Sequence, residues 1–244
     1  MISVPSIIFV LISLFICLAL PAVLALVLIL KHKASWKAFV LGIAVFTVFQ
    51  FLTRVPILNA LQGEPSYILF AQTNTILYGI LLALSAGVFE ETGRLVGMRF
   101  FMQKDLTWKN GLTFGLGHAG VEAFVLVGIP YVGVLAGLLS GDLAYAAVPP
   151  ATFLLGGVER LLTIAFHIGM TMLVLYAVKR REIRWFIFAI LFHTAADTIA
   201  VLFAGGDAWM LEGIVAIFAA LGVYIVVRFK NKIDSIDLQT KWRF

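Results

Sequence analysis

Seven apolar stretches, at residues 6–30, 38–58, 75–101, 111–129, 151–178, 185–204 and 209–227, divide this chain. The hydrocarbon core of a bilayer is about 30 Å thick and is crossed by about 20 residues of helix or about 10 of tilted strand. The stretches are too long for barrel strands, and inside hydrocarbon each must satisfy its own backbone hydrogen bonds. They read as transmembrane helices. Only 13% of the 244 residues are charged, about half the share found in soluble domains. The expected fold class is therefore all-α, a polytopic transmembrane helical bundle of about seven spans. It forms a single domain over residues 1–230, followed by a basic tail at 231–244. The first stretch lacks a basic n-region and stays apolar through Leu30, which favours a retained span over a cleaved signal peptide. Pro21 is expected to kink it. The single cysteine, Cys17, excludes an internal disulfide and a cysteine-based metal cluster.

Charge in the connections sets the orientation. Lys31, Lys33 and Lys37 follow the first stretch, and Arg99, Lys104 and Lys109 flank the third connection. Lys179, Arg180, Arg181 and Arg184 fill the fifth, while Arg228, Lys230, Lys232, Lys241 and Arg243 lie in or near the tail. The alternate connections, 59–74, 130–150 and 205–208, carry no lysine or arginine. By the positive-inside rule the N-terminus is outside and the C-terminus inside. The net charge of +5 then marks a cytoplasmic face meeting anionic lipid, and no nucleic acid is implied. Compact loops suggest a bacterial plasma membrane. Gly133, Gly137 and Gly141 recur every four residues, a close-packing pattern. The segment 131–148 is expected to lie at the outer surface as a helix or hairpin closed by Pro149 and Pro150.

Polar groups inside the spans are the functional signal, because hydrocarbon penalises each charge by several kcal/mol unless it is paired or wetted. The third stretch holds Glu90, Glu91 and Arg94, and the fourth His118 and Glu122. The fifth holds Glu159, Arg160 and His167, and the sixth His193 and Asp197. Helical rise puts His118 and His193 roughly 10–12 Å, and Glu90 and His167 roughly 16 Å, above the inner ends of their helices. Four helices thus bring ionisable groups to nearly one level. Pairs four residues apart (Glu90 and Arg94, His118 and Glu122, His193 and Asp197) share a helix face and turn inward. Adjacent glutamates point about 100° apart on a helix and need not do the same work. Arg94 can keep one ionised, while the other suits a general base that takes a proton from water. Histidines at the same level can stabilise an oxyanion or shuttle a proton. Hydrolysis of an amide within the membrane follows.

The segments Glu90-Glu91-x-x-Arg94, Phe114-x-x-x-His118 and His193-x-x-x-Asp197 resemble the three-motif pattern of glutamic-type intramembrane proteases. That superfamily contains the CAAX prenyl proteases with their bacteriocin-immunity relatives, and the PrsW proteases. The chain is most similar to the bacterial YhfC family, in length, span count and its Gly-x-Gly-His-x-x-x-Glu and Glu-Arg segments. The match covers roughly residues 75–200. The resemblance implies a membrane-embedded or membrane-proximal peptide substrate and a metal-independent reaction without cofactor. Glu90 would activate water with help from His118, beside Glu91. His193 and Asp197 would stabilise the oxyanion. Two departures stand out: two residues rather than three separate Glu91 from Arg94, and Asp197 replaces a common asparagine. An ionised Asp197 would repel an oxyanion, so it is either protonated or orients His193.

Other readings of the same residues stand beside this one. The acids and bases can form a proton- or cation-coupled transport path, although no internal repeat supports it. They can hold zinc through His118, His167, His193 and Glu90. They can be structural ion pairs in a catalytically silent membrane scaffold. Glu159 with Arg160 reads as structural, His32 as solvated, and Arg54 as snorkelling to the outer surface.

Overall fold

In a computed structural model, which describes residues 4–103, 105–203 and 205–236, every element is helical. Seven helices are long and apolar enough to cross a membrane: Val4–His32, Trp36–Leu61, Thr75–Phe101, Trp108–Ser140, Pro150–Arg180, Ile183–Phe203 and Ala208–Asp234. They are called the first to seventh spans below. Two short helices, Pro65–Thr73 and Leu143–Ala146, lie in connections without lysine or arginine. Lys104, Lys241, Arg243 and Ala204, with the end of the expected tail, fall outside the described residues. The start of that tail is the last turn of the seventh span, which runs to Asp234.

The fifth span is the axis of the bundle. Of its membrane-crossing window 72% is buried, against 39% or less in every other span. The seventh, fourth, first and sixth spans pack along it, the second lies on the fourth, and the sixth lies on the third. Phe114, Met98, Met170, Met172, Leu173 and Leu175 fill the largest core cluster. Outward-facing Phe15, Leu52, Phe101 and Val227 leave an apolar flank of the kind lipid covers.

Glycine sets how closely the second and fourth spans approach. A Cβ on Gly42 would lie 2.9 Å from the His118 backbone nitrogen, and one on Gly117 would lie 2.9 Å from the Phe39 carbonyl carbon. Small residues let transmembrane backbones touch where a side chain would hold them apart. This crossing seats His118 in the middle of the bundle.

Four spans contain a wider, π-helical turn; the one at Gly97–Phe101 closes the third span, and the other three each sit just ahead of a proline. Phe15–Ala19 precedes Pro21, Thr47–Arg54 precedes Pro56, and Phe124–Gly128 precedes Pro130. Proline lacks an N–H and its ring presses on the carbonyl four residues back, so the widened turn relieves the clash without ending the helix. The expected disturbance at Pro21 takes this form.

The fourth span differs from its sequence boundary. It continues past residue 129 to Ser140, where Gly141 at φ 79° ends it, and only Leu143–Ala146 forms a separate helix. Its 33 residues rise about 50 Å, more than the hydrocarbon is thick, so the helix tilts or projects. Of the three spaced glycines, only Gly137 packs closely, against the Tyr145 ring. Gly133 and Gly141 have nothing within 4 Å.

Between the fifth and sixth spans, Arg181 adopts a left-handed conformation at φ 55°, a common way to stop a helix. The next residue, Glu182, is buried and accepts hydrogen bonds from Arg180 Nε (3.0 Å), Arg184 Nη2 (2.7 Å) and Trp185 Nε1 (3.1 Å). Burial alone would raise this carboxyl. The hydrogen bonds from Arg184, Arg180 and Trp185 hold it below the usual carboxylate range instead.

Candidate functional site

The adjacent glutamates of the third span reach in different directions, as their angular offset requires. Glu90 faces the second and fourth spans: Gln50 Nε2 donates to its Oε1 at 2.5 Å, and His118 Nε2 lies 3.0 Å from its Oε2. Glu91, fully buried, faces the sixth span, where His193 Nδ1 lies 2.7 Å from its Oε1. Arg94, also fully buried, lies one helical turn further on. It pairs with Glu91, reaches Glu90 Oε2 at 3.4 Å, and places Nη2 2.9 Å from His167 Nδ1 on the fifth span. A guanidinium with five fixed donors can serve three partners on two helices in this way.

His118 and Glu122 share a face but not a bond. His118 goes to Glu90, whereas Glu122 Oε2 lies 2.8 Å from His167 Nε2 and Glu122 Oε1 accepts from Arg160 Nη1 at 3.0 Å. Arg160 also pairs with Glu159, whose side chain is 41% exposed. His193 Nε2 faces Asp197 Oδ2 at 3.5 Å, so each of its ring nitrogens meets a carboxylate oxygen. The imidazole rings form a row, with centroids 5.7 Å apart from His118 to His167 and 5.3 Å from His167 to His193.

All ten ionisable residues singled out in the third to sixth spans thus join one network, with Glu159 attached at its edge through Arg160. Sequence reasoning missed Gln50 and misplaced Arg54. Gln50 bonds directly to Glu90, and Arg54 Nη1 donates to the Gln50 amide oxygen at 3.2 Å. Arg54 does not snorkel outward. It donates to Ser85 Oγ and to the Leu82 carbonyl, both at 2.9 Å. The π-helical turn at Thr47–Arg54 carries both residues. The available signal was an amide and a guanidinium four apart in an otherwise apolar span.

Two cavities open on the network. One of about 350 Å³ is walled by Phe46, Phe51 and Leu126 and reached by Gln50, Glu90 and Asp197. A smaller one of about 130 Å³ lies between Glu90, Glu122, Glu159, His167, His193 and Asp197. Asp197, with 36% of its side chain exposed, lines both.

Glu90, His118, Glu122 and His167 each offer a ligand atom, and these atoms lie within 4.8 Å of one another. Two imidazoles and two carboxylates are a donor set that suits zinc and similar divalent ions. Glu122 Oε2 has no hydrogen-bond partner despite its short approach to His167 Nε2. Two buried donor atoms in contact but not aligned for a hydrogen bond fit shared coordination. The set differs from the zinc alternative read from the sequence. His193 is absent from it because Glu91 and Asp197 face both its nitrogens, and Glu122 takes its place.

The sequence profile of a family described as YhfC intramembrane metalloprotease matches residues 16–219. The membrane protein YhfC of Bacillus subtilis (strain 168) is 35% identical over 261 residues, covering 95% of this chain and 99% of the relative. No solved structure matches.

Proposed function

The chain belongs to the YhfC family of intramembrane metalloproteases, and from that premise we propose that it is an intramembrane endopeptidase whose Glu90, His118, Glu122 and His167 hold a divalent metal ion. It is an integral membrane protein, and its substrate on this reading is a peptide segment in or beside the bilayer. The observation that carries the reading is the convergence of those four side chains, with Glu90 and Glu122 lining both cavities and His167 the smaller one. When bound there, zinc or a similar ion supplies Lewis acidity to a carbonyl and to water.

The chain's own groups divide the remaining work. Gln50, fixed by Arg54, holds one oxygen of Glu90 and sets the carboxylate plane. Arg94 balances the charge of Glu90 and Glu91, which removes the need to bury two bare carboxylates. Glu91 orients His193 through Nδ1, leaving Nε2 on the side of Asp197, and His193 lines the smaller cavity. His193 there can deliver a proton to the departing amine, with Asp197 as its exchange partner with solvent. The apolar walls at Phe46, Phe51 and Leu126 suit the side chains of a membrane segment.

A second reading keeps the same residues without metal. Glu90 takes the proton from water, and His118 at 3.0 Å assists. Its specific support is Arg94 Nη2 at 2.9 Å from His167 Nδ1, a donor aimed at a ring nitrogen. Peptide cleavage by purified protein in liposomes separates the readings. Under either, Glu90→Gln abolishes cleavage. Loss on chelation with recovery on adding zinc supports the metal reading, and indifference to chelators supports the second. Normal cleavage by Glu90→Gln overturns both.

A further inference from the structure

At the lysine-rich end of the bundle a separate chamber of about 630 Å³ opens between the ends of the first, fourth, fifth and seventh spans. It shares no lining residue with the acid–histidine site. We propose that this chamber binds a phosphate-bearing anion, with the phosphodiester of an anionic phospholipid as its occupant.

Among the described residues, three lysines and one aspartate line the chamber: Lys109, Lys179, Lys230 and Asp234. The aspartate is already engaged, since Asp234 Oδ1 accepts from the Trp108 backbone nitrogen at 2.9 Å. Lys109 Nζ donates to the His32 carbonyl at 3.1 Å, and Lys179 Nζ donates to the Ile233 carbonyl at 2.6 Å. Each of these bonds fixes its ammonium, and since an ammonium has three donors, the bond from Lys109 leaves donors over. Lys230 Nζ stands 5.0 Å over the Trp108 ring, whose indole nitrogen is tied to the Val226 carbonyl at 2.9 Å. The fourth span begins at Trp108, capped by Thr107, and its N-terminal dipole adds positive potential at the same place.

The ligand class follows from size and chemistry. A phosphodiester offers two charged oxygens in a tetrahedral arrangement, with ester oxygens beside them, to ammonium groups arriving from different helices. The chamber exceeds what a bare ion fills and falls within the range of small-ligand sites. Leu28 on its wall and Trp108 at its edge suit the glycerol and acyl boundary of a lipid, the depth where tryptophan concentrates. A headgroup seated here ties together four spans, including the fourth and fifth, which carry three of the four candidate metal ligands. Inorganic phosphate is the other source of the same chemistry.

Native mass spectrometry of the full chain, titrated with phosphatidylglycerol, phosphatidylcholine or inorganic phosphate, tests the proposal without requiring activity. The double variant Lys109→Gln/Lys230→Gln is expected to weaken phosphatidylglycerol binding about tenfold or more. Lys31→Gln/Lys37→Gln, which removes equal charge from exposed positions nearby, is expected to bind as the unchanged protein does. Lys109→Arg/Lys230→Arg preserves charge and is expected to retain binding, which separates loss of the site from misfolding. Competition by phosphate without preference between the lipids would assign the free anion as occupant. Equal loss in both glutamine pairs, no loss in either, or loss in the arginine pair overturns the proposal.

Discussion

Gln50 donates its amide to Glu90 Oε1 at 2.5 Å while Arg54 holds the oxygen of that amide at 3.2 Å. An amide can rotate by half a turn and present its oxygen instead, which would repel the carboxylate. Arg54, itself anchored on Ser85 and Leu82, prevents this. Gln50→Leu is expected to lower peptide cleavage or metal affinity about 10–100-fold, as loss of a supporting hydrogen bond commonly does. Arg54→Lys is expected to act in the same direction, because an ammonium cannot reach three partners in one plane. Cleavage rates and metal titration in detergent check both.

Arg94 is the only described cation that contacts both Glu90 and Glu91, and it is fully buried. Removing one partner of a buried pair costs about 3–5 kcal/mol, mostly through the charge left behind. Arg94→Gln is therefore expected to reduce the yield of folded protein sharply. Adding Glu91→Gln removes the stranded charge, and part of the yield should return. Monodisperse protein recovered after extraction is the measurement, and a double variant no better than the single one would contradict the pairing.

Close helix contact at the Gly42 and Gly117 crossing makes a clean packing prediction. Gly117→Ala is expected to destabilise by about 1–3 kcal/mol through overpacking and to lower cleavage, since His118 is the next residue. Gly133→Ala, with nothing within 4 Å, is expected to leave thermal unfolding and cleavage unchanged. Melting curves of the two variants side by side give the comparison.

Glu182 supplies the pH prediction. Its carboxyl is held below the usual range in the folded chain by Arg184, Arg180 and Trp185, against the opposing effect of burial. A depressed folded pKa means the stabilisation is fully present above the unfolded value, about 4.3, and is lost as pH falls through the folded value. Glu182→Gln is expected to lower the melting temperature at neutral pH by about 2–4 °C. The difference between variant and parent should shrink as pH drops below about 4. A difference that stays constant across that window would rule out the ionised carboxylate as its source.

Much of this architecture was legible in the sequence because the bilayer restricts the choices. Long apolar runs can only be helices, and charges within them turn inward, so the seven spans and the common level of Glu90, Glu91, Arg94, His118, Glu122, His167, His193 and Asp197 are legible from spacing. The misses have local causes. The segment 131–148 reads as a separate surface element, but the wider turn at Phe124–Gly128 carries the helix through Pro130 to Ser140, and of its spaced glycines only Gly137 packs closely. Arg54, expected to snorkel, instead turns inward from the wider turn before Pro56, which carries both it and Gln50. Partner choice was the hardest to read. Periodicity says that His118 and Glu122 share a face, but not that each finds its partner on a different helix.

The central claim is that Glu122, and not His193, completes the ligand set with Glu90, His118 and His167. Elemental analysis of purified protein tests it directly. Wild type and His193→Gln should each carry about one divalent ion per chain, while His118→Ala and Glu122→Gln should carry none after the same dialysis. Metal that survives Glu122→Gln but disappears with His193→Gln, or wild-type protein that cleaves peptide at full rate with no bound metal, would contradict the account.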